Sequence, residues 1–192
     1  MSESNNLPRR GFLAASLAAA LPGGAAKAAP ARGAGKPLTV LHLTDIHIRP
    51  EHDAPKRCGA ILRDIRKRFP DIGLVVNTGD SIYAADYGNI TRERMLEQWE
   101  IWEKSVMTQL KGIPVLHAIG NHDPWWAGGK EDEMYGIPYV CKRLGIQQPY
   151  SASSRGGWEF LTLENCRGSM DETQQKWLFK ALDELPDNKP LG

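Results

Sequence analysis

Apolar positions along this chain fall into two alternating rhythms. "LTVLHL" (38–43), "GLVVNTGD" (73–80) and "IPVLHAIG" (113–120) contain short, nearly continuous apolar runs that give way to polar residues, the pattern of strands buried on both faces. Between them the rhythm changes. From Pro55 to Phe69, apolar Cys58, Ile61, Leu62, Ile65 and Phe69 recur at i, i+3, i+4, i+7 and i+11, a helical stripe opposed by Lys and Arg and stopped by Pro70. Thr91 to Lys111 carries Leu96, Trp99, Trp102, Val106 and Leu110 on one face, with Gly112 as its stop. Strands alternating with helices predict right-handed βαβ units and an α/β fold with a largely parallel sheet.

Downstream, "IPYVCKRLG" (137–145) predicts a short helix with Pro138 near its start and Gly145 past its end. "WEFLTLE" (158–164) reads as a fourth strand. Asp171, with Gln174 three residues on, caps a helix that turns Trp177, Leu178, Ala181, Leu182 and Leu185 inward until Pro186.

The N-terminus has another character. Arg9-Arg10, an apolar run from Gly11 to Leu21 and the small-residue site Ala26-Lys27-Ala28 describe an export signal that is later removed. The run is too short to span a bilayer, so no stable membrane insertion is expected. "RRGFL" resembles the twin-arginine signal, although Pro8 and Ala14 stand where Ser or Thr and Lys are usual. The resemblance implies the twin-arginine export machinery as a partner and a periplasmic or secreted location. The expected organisation is a signal at 1–28, a linker at 29–37 and one domain at 38–192.

Composition adds exclusions. With 41% hydrophobic and 24% charged residues in a chain of 192, a single globular domain is the ordinary outcome. The net charge is +1 with its basic residues dispersed, which is not the footprint of a nucleic-acid binder. Loss of residues 1–28 removes three basic residues and one acidic residue, leaving −1. A small-molecule partner fits that balance. Cys58, Cys141 and Cys166 are far apart without a CxxC pair, so no structural zinc knuckle is indicated and burial is the expectation.

The candidate chemistry lies where the strands end: Asp45-Ile46-His47, Gly79-Asp80 and Gly120-Asn121-His122-Asp123. The carboxyl ends of parallel strands face one crevice, so these clusters should converge. Carboxylate oxygen, imidazole nitrogen and amide oxygen suit divalent Mn, Fe, Zn or Co, and a shared Asp could bridge two ions. Asp-x-His is a weak signal by itself. A Gly-Asn-His-Asp string arises by chance in on the order of one chain of this length in two thousand, and here it also closes a strand.

The ordered motifs D-x-H, G-D and G-N-H-D resemble those of the calcineurin-like metallophosphoesterase superfamily. "RGGWEFLTLEN" and "DETQQKWLFKALDELP" look like a strand and a Gln-x-x-Trp-Leu helix of its exported, purple-acid-phosphatase-like branch. The resemblance runs from about Leu38 to Pro190. It implies the front part of a four-layer α/β/β/α sandwich and a phosphoric ester hydrolase acting on a small-molecule phosphoester. Two divalent metal ions would activate a bridging hydroxide. Carried over by position, Asp45 and His47 would hold the first metal, Asp80 both, and Asn121 the second. His122 would face the substrate phosphate as a non-ligand, stabilising charge or protonating the leaving oxygen, with Asp123 orienting it.

The superfamily pattern continues with a lone His and then G-H-x-H, whereas His42, His47, His52, His117 and His122 all precede residue 123. The expectation is therefore an incomplete metallophosphoesterase domain, inactive alone, as the front of a longer enzyme. The alternative is a non-catalytic exported binding or interaction module with a partial metal site. His42 and His117 lie inside strands and read as sheet histidines. His52 would line the pocket mouth or be solvated. Trp125 and Trp126 would form an aromatic lip or pack beneath "AGGKEDE". "ARGAGK" (31–36) lacks P-loop spacing and is a linker.

Overall fold

Each apolar run becomes a strand of one parallel sheet. A computed structural model describes residues 37–186 and 190–192, and the signal and nearly all of the linker lie outside the described residues. Strands β1 (Thr39–Leu43), β2 (Ile72–Asn77) and β3 (Val115–His117) pair in the order β1-β2-β3. The register sets Leu41 beside Val75, Leu43 beside Asn77, and Asn77 beside His117. Alternation then puts Leu41, Leu43, Val75, Asn77, Val115 and His117 on one face.

Helices cover that face. α1 (Ala54–Arg68) contributes Leu62, and α2 (Arg92–Trp102) contributes Met95, Trp99 and Trp102, to a core shared with Leu43 and Val75. The Thr91 side chain caps α2 by accepting from Arg94 N. α2 runs on through a π turn (Glu103–Met107) into α3 (Thr108–Leu110), and the wider turn keeps Val106 and Leu110 on the buried side. Buried Met95 and Gln98 lie inward of Leu96, which is half-buried.

The α1 stripe is wider than its cover. Cys58 and Ile65 are half-buried, but Ile61 is 60% and Phe69 55% exposed. The cause is position: β1 is the sheet edge, and among the described residues no strand lies beyond it. α4 (Gly136–Leu144) forms as expected, with Gly145 left-handed at its end.

The expected fourth strand is not in the parallel sheet. It is β5 (Trp158–Thr162), antiparallel to β4 (Ser151–Arg155), a strand whose "SASSR" sequence carries no apolar alternation. Gly156 and Gly157, at φ +58° and +85°, make the two-residue hairpin turn. On the other edge of β5, Leu191 bridges Glu159 in parallel. α5 (Glu172–Asp183) starts where Asp171 Oδ1 accepts from Gln174 N at 2.7 Å, yet Trp177, Leu178, Ala181 and Leu185 are only half-buried and Leu182 is exposed. No helix among the described residues is long and apolar enough to cross a membrane.

Candidate metal centre

Three loops leave the carboxyl ends of β1, β2 and β3 and are tied together by their backbones. Asp45 N donates to Gly79 O at 3.2 Å, His47 N to Asp80 O at 2.9 Å and Ile48 N to Ser81 O at 3.1 Å. His122 N donates to Asp80 Oδ1 at 3.0 Å, and Ala85 N to His122 O at 2.8 Å. Asp80 thus stands between the other two loops. Gly79 and Gly120 permit this closeness, since a Cβ on Gly120 would strike Asp80 N and Oδ1.

Asp45, His47 and Asp80 take φ of +51°, +46° and +51°. A left-handed non-glycine residue costs about 1–2 kcal/mol, and such strain clusters at ligand-holding positions. The donors themselves fit a cation. His47 Nδ1 lies 3.2 Å from Tyr83 O, an oxygen that can only accept, so Nδ1 carries the hydrogen. In the neutral ring Nε2 then presents a lone pair, 3.7 Å from both Asp45 Oδ1 and Asp80 Oδ2. Three acceptors facing one another repel unless a proton or a metal ion lies among them. Ligand atoms of His47, Asp80 and His122 lie within 4.8 Å of one another.

His122 is held differently from the expectation. Its Nδ1 meets Asp86 Oδ1 at 2.6 Å, leaving Nε2 as the nitrogen free for a ligand. Asp123, expected to orient His122, instead braces the loops: Oδ1 accepts from Ser81 N at 2.8 Å and Ile82 N at 3.3 Å, and Oδ2 from Gly120 N at 2.9 Å. Burial pushes its carboxyl up to about 7, against those three backbone donors, which hold it down. The physical reason is depth, because Asp123 is 1% exposed and spends both oxygens on the turn that shapes GNHD.

A cavity of about 420 Å³ adjoins the cluster, lined among others by Asp45, Asp80, Asn121, Asn165 and Cys166. Asn121 is exposed there. Asn165 and Cys166 come from the loop after β5, which Gln174 fastens: Glu164 N donates to Gln174 Oε1 at 2.7 Å, and Gln174 Nε2 to Glu164 O at 2.6 Å. Gln98 does the same for the loop after β2, taking Ala84 N and giving to Ala84 O, both at 2.9 Å. All three cysteines are free, and burial raises their thiols, Cys166 to about 12.

The family pattern for calcineurin-like phosphoesterases matches residues 38–190. The chain belongs to the calcineurin-like phosphoesterase family. Its mixed α/β layout, with helices on one face of a three-stranded parallel sheet, is that of the front of the family's sandwich. The clustered donors of His47, Asp80 and His122 could hold a metal ion, which fits a metal-dependent phosphoesterase. No relative with a curated description matches the chain.

The remaining candidates separate by contact. His42 is exposed and bonds Thr78 Oγ1 at 3.0 Å, while His117 is buried in the sheet. His52 is exposed, beside a second cavity that also touches Asp45. Trp125 is buried and donates to Ile90 O at 2.9 Å, and Trp126 packs on Tyr135 beneath Arg167. Both tryptophans are packing residues. Asp86 and Gln98 escaped the sequence reading, and Gln174 was read there only as part of the cap of α5. Gln98 did leave a signal, a polar residue within the apolar face of α2.

Proposed function

We propose that this chain is the metal-binding front of a phosphoric ester hydrolase working with two divalent cations. The observation that carries the reading is the His47 geometry: a ring fixed by Tyr83 O with its bare nitrogen aimed between two carboxylates. Asp45 and His47 would hold the first cation, Asp80 both, and Asn121 the second through its amide oxygen. When bound, such cations neutralise phosphoryl oxygens and make water acidic enough to supply a nucleophile near neutral pH.

The residues around them have separate tasks. Asp86 holds Nδ1 of His122 so that Nε2 can meet the ester and hand a proton to the departing oxygen. Asp123 fixes the turn that presents Asn121 and His122. A monoester or a diester fits this division of labour.

Among the described residues the donors proposed for the second cation are Asp80 and Asn121, and the expected result is that the 192-residue chain with manganese cleaves neither an aryl phosphate monoester nor a bis-aryl diester appreciably. A longer form carrying Gly-His-x-His should cleave at least one of them. In that form, His122→Ala should cost about 10² to 10⁴ in turnover, the usual range for a lost general acid, with metal content unchanged. Full-rate hydrolysis by the short chain would overturn the ligand assignment. An inactive longer form would favour a binding module.

We also propose export through residues 1–28, supported by Arg9-Arg10 and the short apolar run. Replacing both arginines by lysine should block delivery, and normal delivery of that variant would rule out the twin-arginine route.

A further inference from the structure

Four rings cross the site in a row, each set edge-to-face on the next. Tyr83 and His47 have centroids 6.3 Å apart, His47 and His122 5.1 Å, and His122 and Tyr87 5.5 Å with planes at 82°. The two ends of the row differ. At one end the Arg49 guanidinium lies 4.3 Å from the Tyr83 centroid and covers it. At the other end Tyr87 is 46% exposed, and among the described residues its hydroxyl has no hydrogen-bond partner.

This open ring is not on a loose segment. Tyr87 O accepts from Ile90 N at 3.0 Å, and Ile90 O accepts from the indole of buried Trp125 at 2.9 Å. One residue earlier, Asp86 grips His122, and two residues before that, Gln98 clasps Ala84. An exposed aromatic ring on an anchored backbone is a contact surface that loses little conformational freedom on binding. Its position beside His122 says which part of a substrate it would meet. If His122 Nε2 protonates the departing oxygen, the group carried by that oxygen lies against Tyr87.

We propose that Tyr87 is a specificity residue for the leaving group, and that the substrate's leaving group is a planar aromatic ring packed on it. The inference rests on the phosphoester reading and adds the substrate class to it. An aromatic pair of this kind favours an aryl over an aliphatic group by about threefold to tenfold.

The test needs no turnover. The chain is loaded with manganese and titrated with phenylphosphonate or methylphosphonate, neither of which can be hydrolysed, and binding is read from paramagnetic broadening of the phosphorus resonance. The expected result is a threefold to tenfold preference for phenylphosphonate, lost in Tyr87→Ala and kept in Tyr87→Phe, with methylphosphonate and manganese binding unchanged in both variants. Equal binding of the two phosphonates by the parent chain, or a preference that survives Tyr87→Ala, overturns the Tyr87 inference and leaves the phosphoester reading standing. Failure of the manganese-loaded chain to bind either phosphonate overturns that reading, and the inference with it.

Discussion

The two faces of the parallel sheet are built to different standards. On the helix side, Leu43, Val75, Trp99, Trp102 and Val106 are buried in one cluster. On the other side Leu74 is buried, but Val40 is 40% exposed, His42 is exposed, and a cavity of about 260 Å³ separates Val76 and Leu116 from Phe160 and Leu161 of the hairpin. The polar residues that brace the site also belong to the helix side. Asn77 reaches from β2 to Ser81 Oγ at 2.9 Å and to His117 Nδ1 at 3.2 Å, and Gln98 reaches from α2 to Ala84. Stability and site geometry are therefore drawn from the same face, while the other lends only one wall through the loop after β5.

If that contrast is right, substitutions should sort by face. Trp99→Ala, at the centre of the covered face, should cost about 3–5 kcal/mol, the usual range for a truncated core aromatic, measured by urea unfolding. A loss comparable to that of a surface variant would mean the helix face is not the main core.

Acid should act on the same face next. Burial lowers His117 to about 4, and its Nδ1 accepts from the Asn77 amide, so the folded chain keeps it neutral. Below its ordinary value near 6.5 the unfolded chain takes up a proton that the folded chain refuses. Stability from this residue is thus complete above about pH 6.5 and falls by about 3 kcal/mol as pH drops to 4. His117→Leu should flatten that part of the stability profile, and an equally steep profile would place the acid response elsewhere.

Gln98→Met keeps the volume but strips the Ala84 peptide of both partners, at an expected cost of about 2 kcal/mol. Because Ala84 lies in the loop that carries Asp86, the imidazole proton resonances of His122 should shift as well. Unchanged His122 resonances would separate the clasp from the site. Smallest of all, Val40→Thr at the exposed edge of the other face should stay within about 0.5 kcal/mol of the parent, and a larger loss would show that this edge is covered in solution.

What the sequence could disclose follows the same division. The convergence of Asp45, His47, Asp80, Asn121 and His122 was legible because strand ends in a parallel sheet face one crevice, so position along the chain already implies position in space. Asp86 was not legible, because only the path of the loop after β2 brings it to His122. Asp123 was legible as a site residue but assigned the wrong contact, since adjacency in sequence says nothing about which way a buried carboxylate turns. Amphipathic spacing found α1 and α5 but could not tell that Ile61, Phe69 and Leu182 would be left uncovered: a stripe shows which side is apolar, not whether anything packs on it. β4 left no pattern, being a polar strand that, among the described residues, pairs along one edge.

The metal site itself is tested most directly by isothermal titration of manganese into the parent chain, Asp80→Asn and His122→Ala. If Asp80 is shared between two cations and His122 faces the substrate, as proposed, Asp80→Asn should lose most of the binding and His122→Ala almost none. Equal affinity of the parent and Asp80→Asn, or a His122→Ala chain that no longer takes up manganese, would contradict the arrangement.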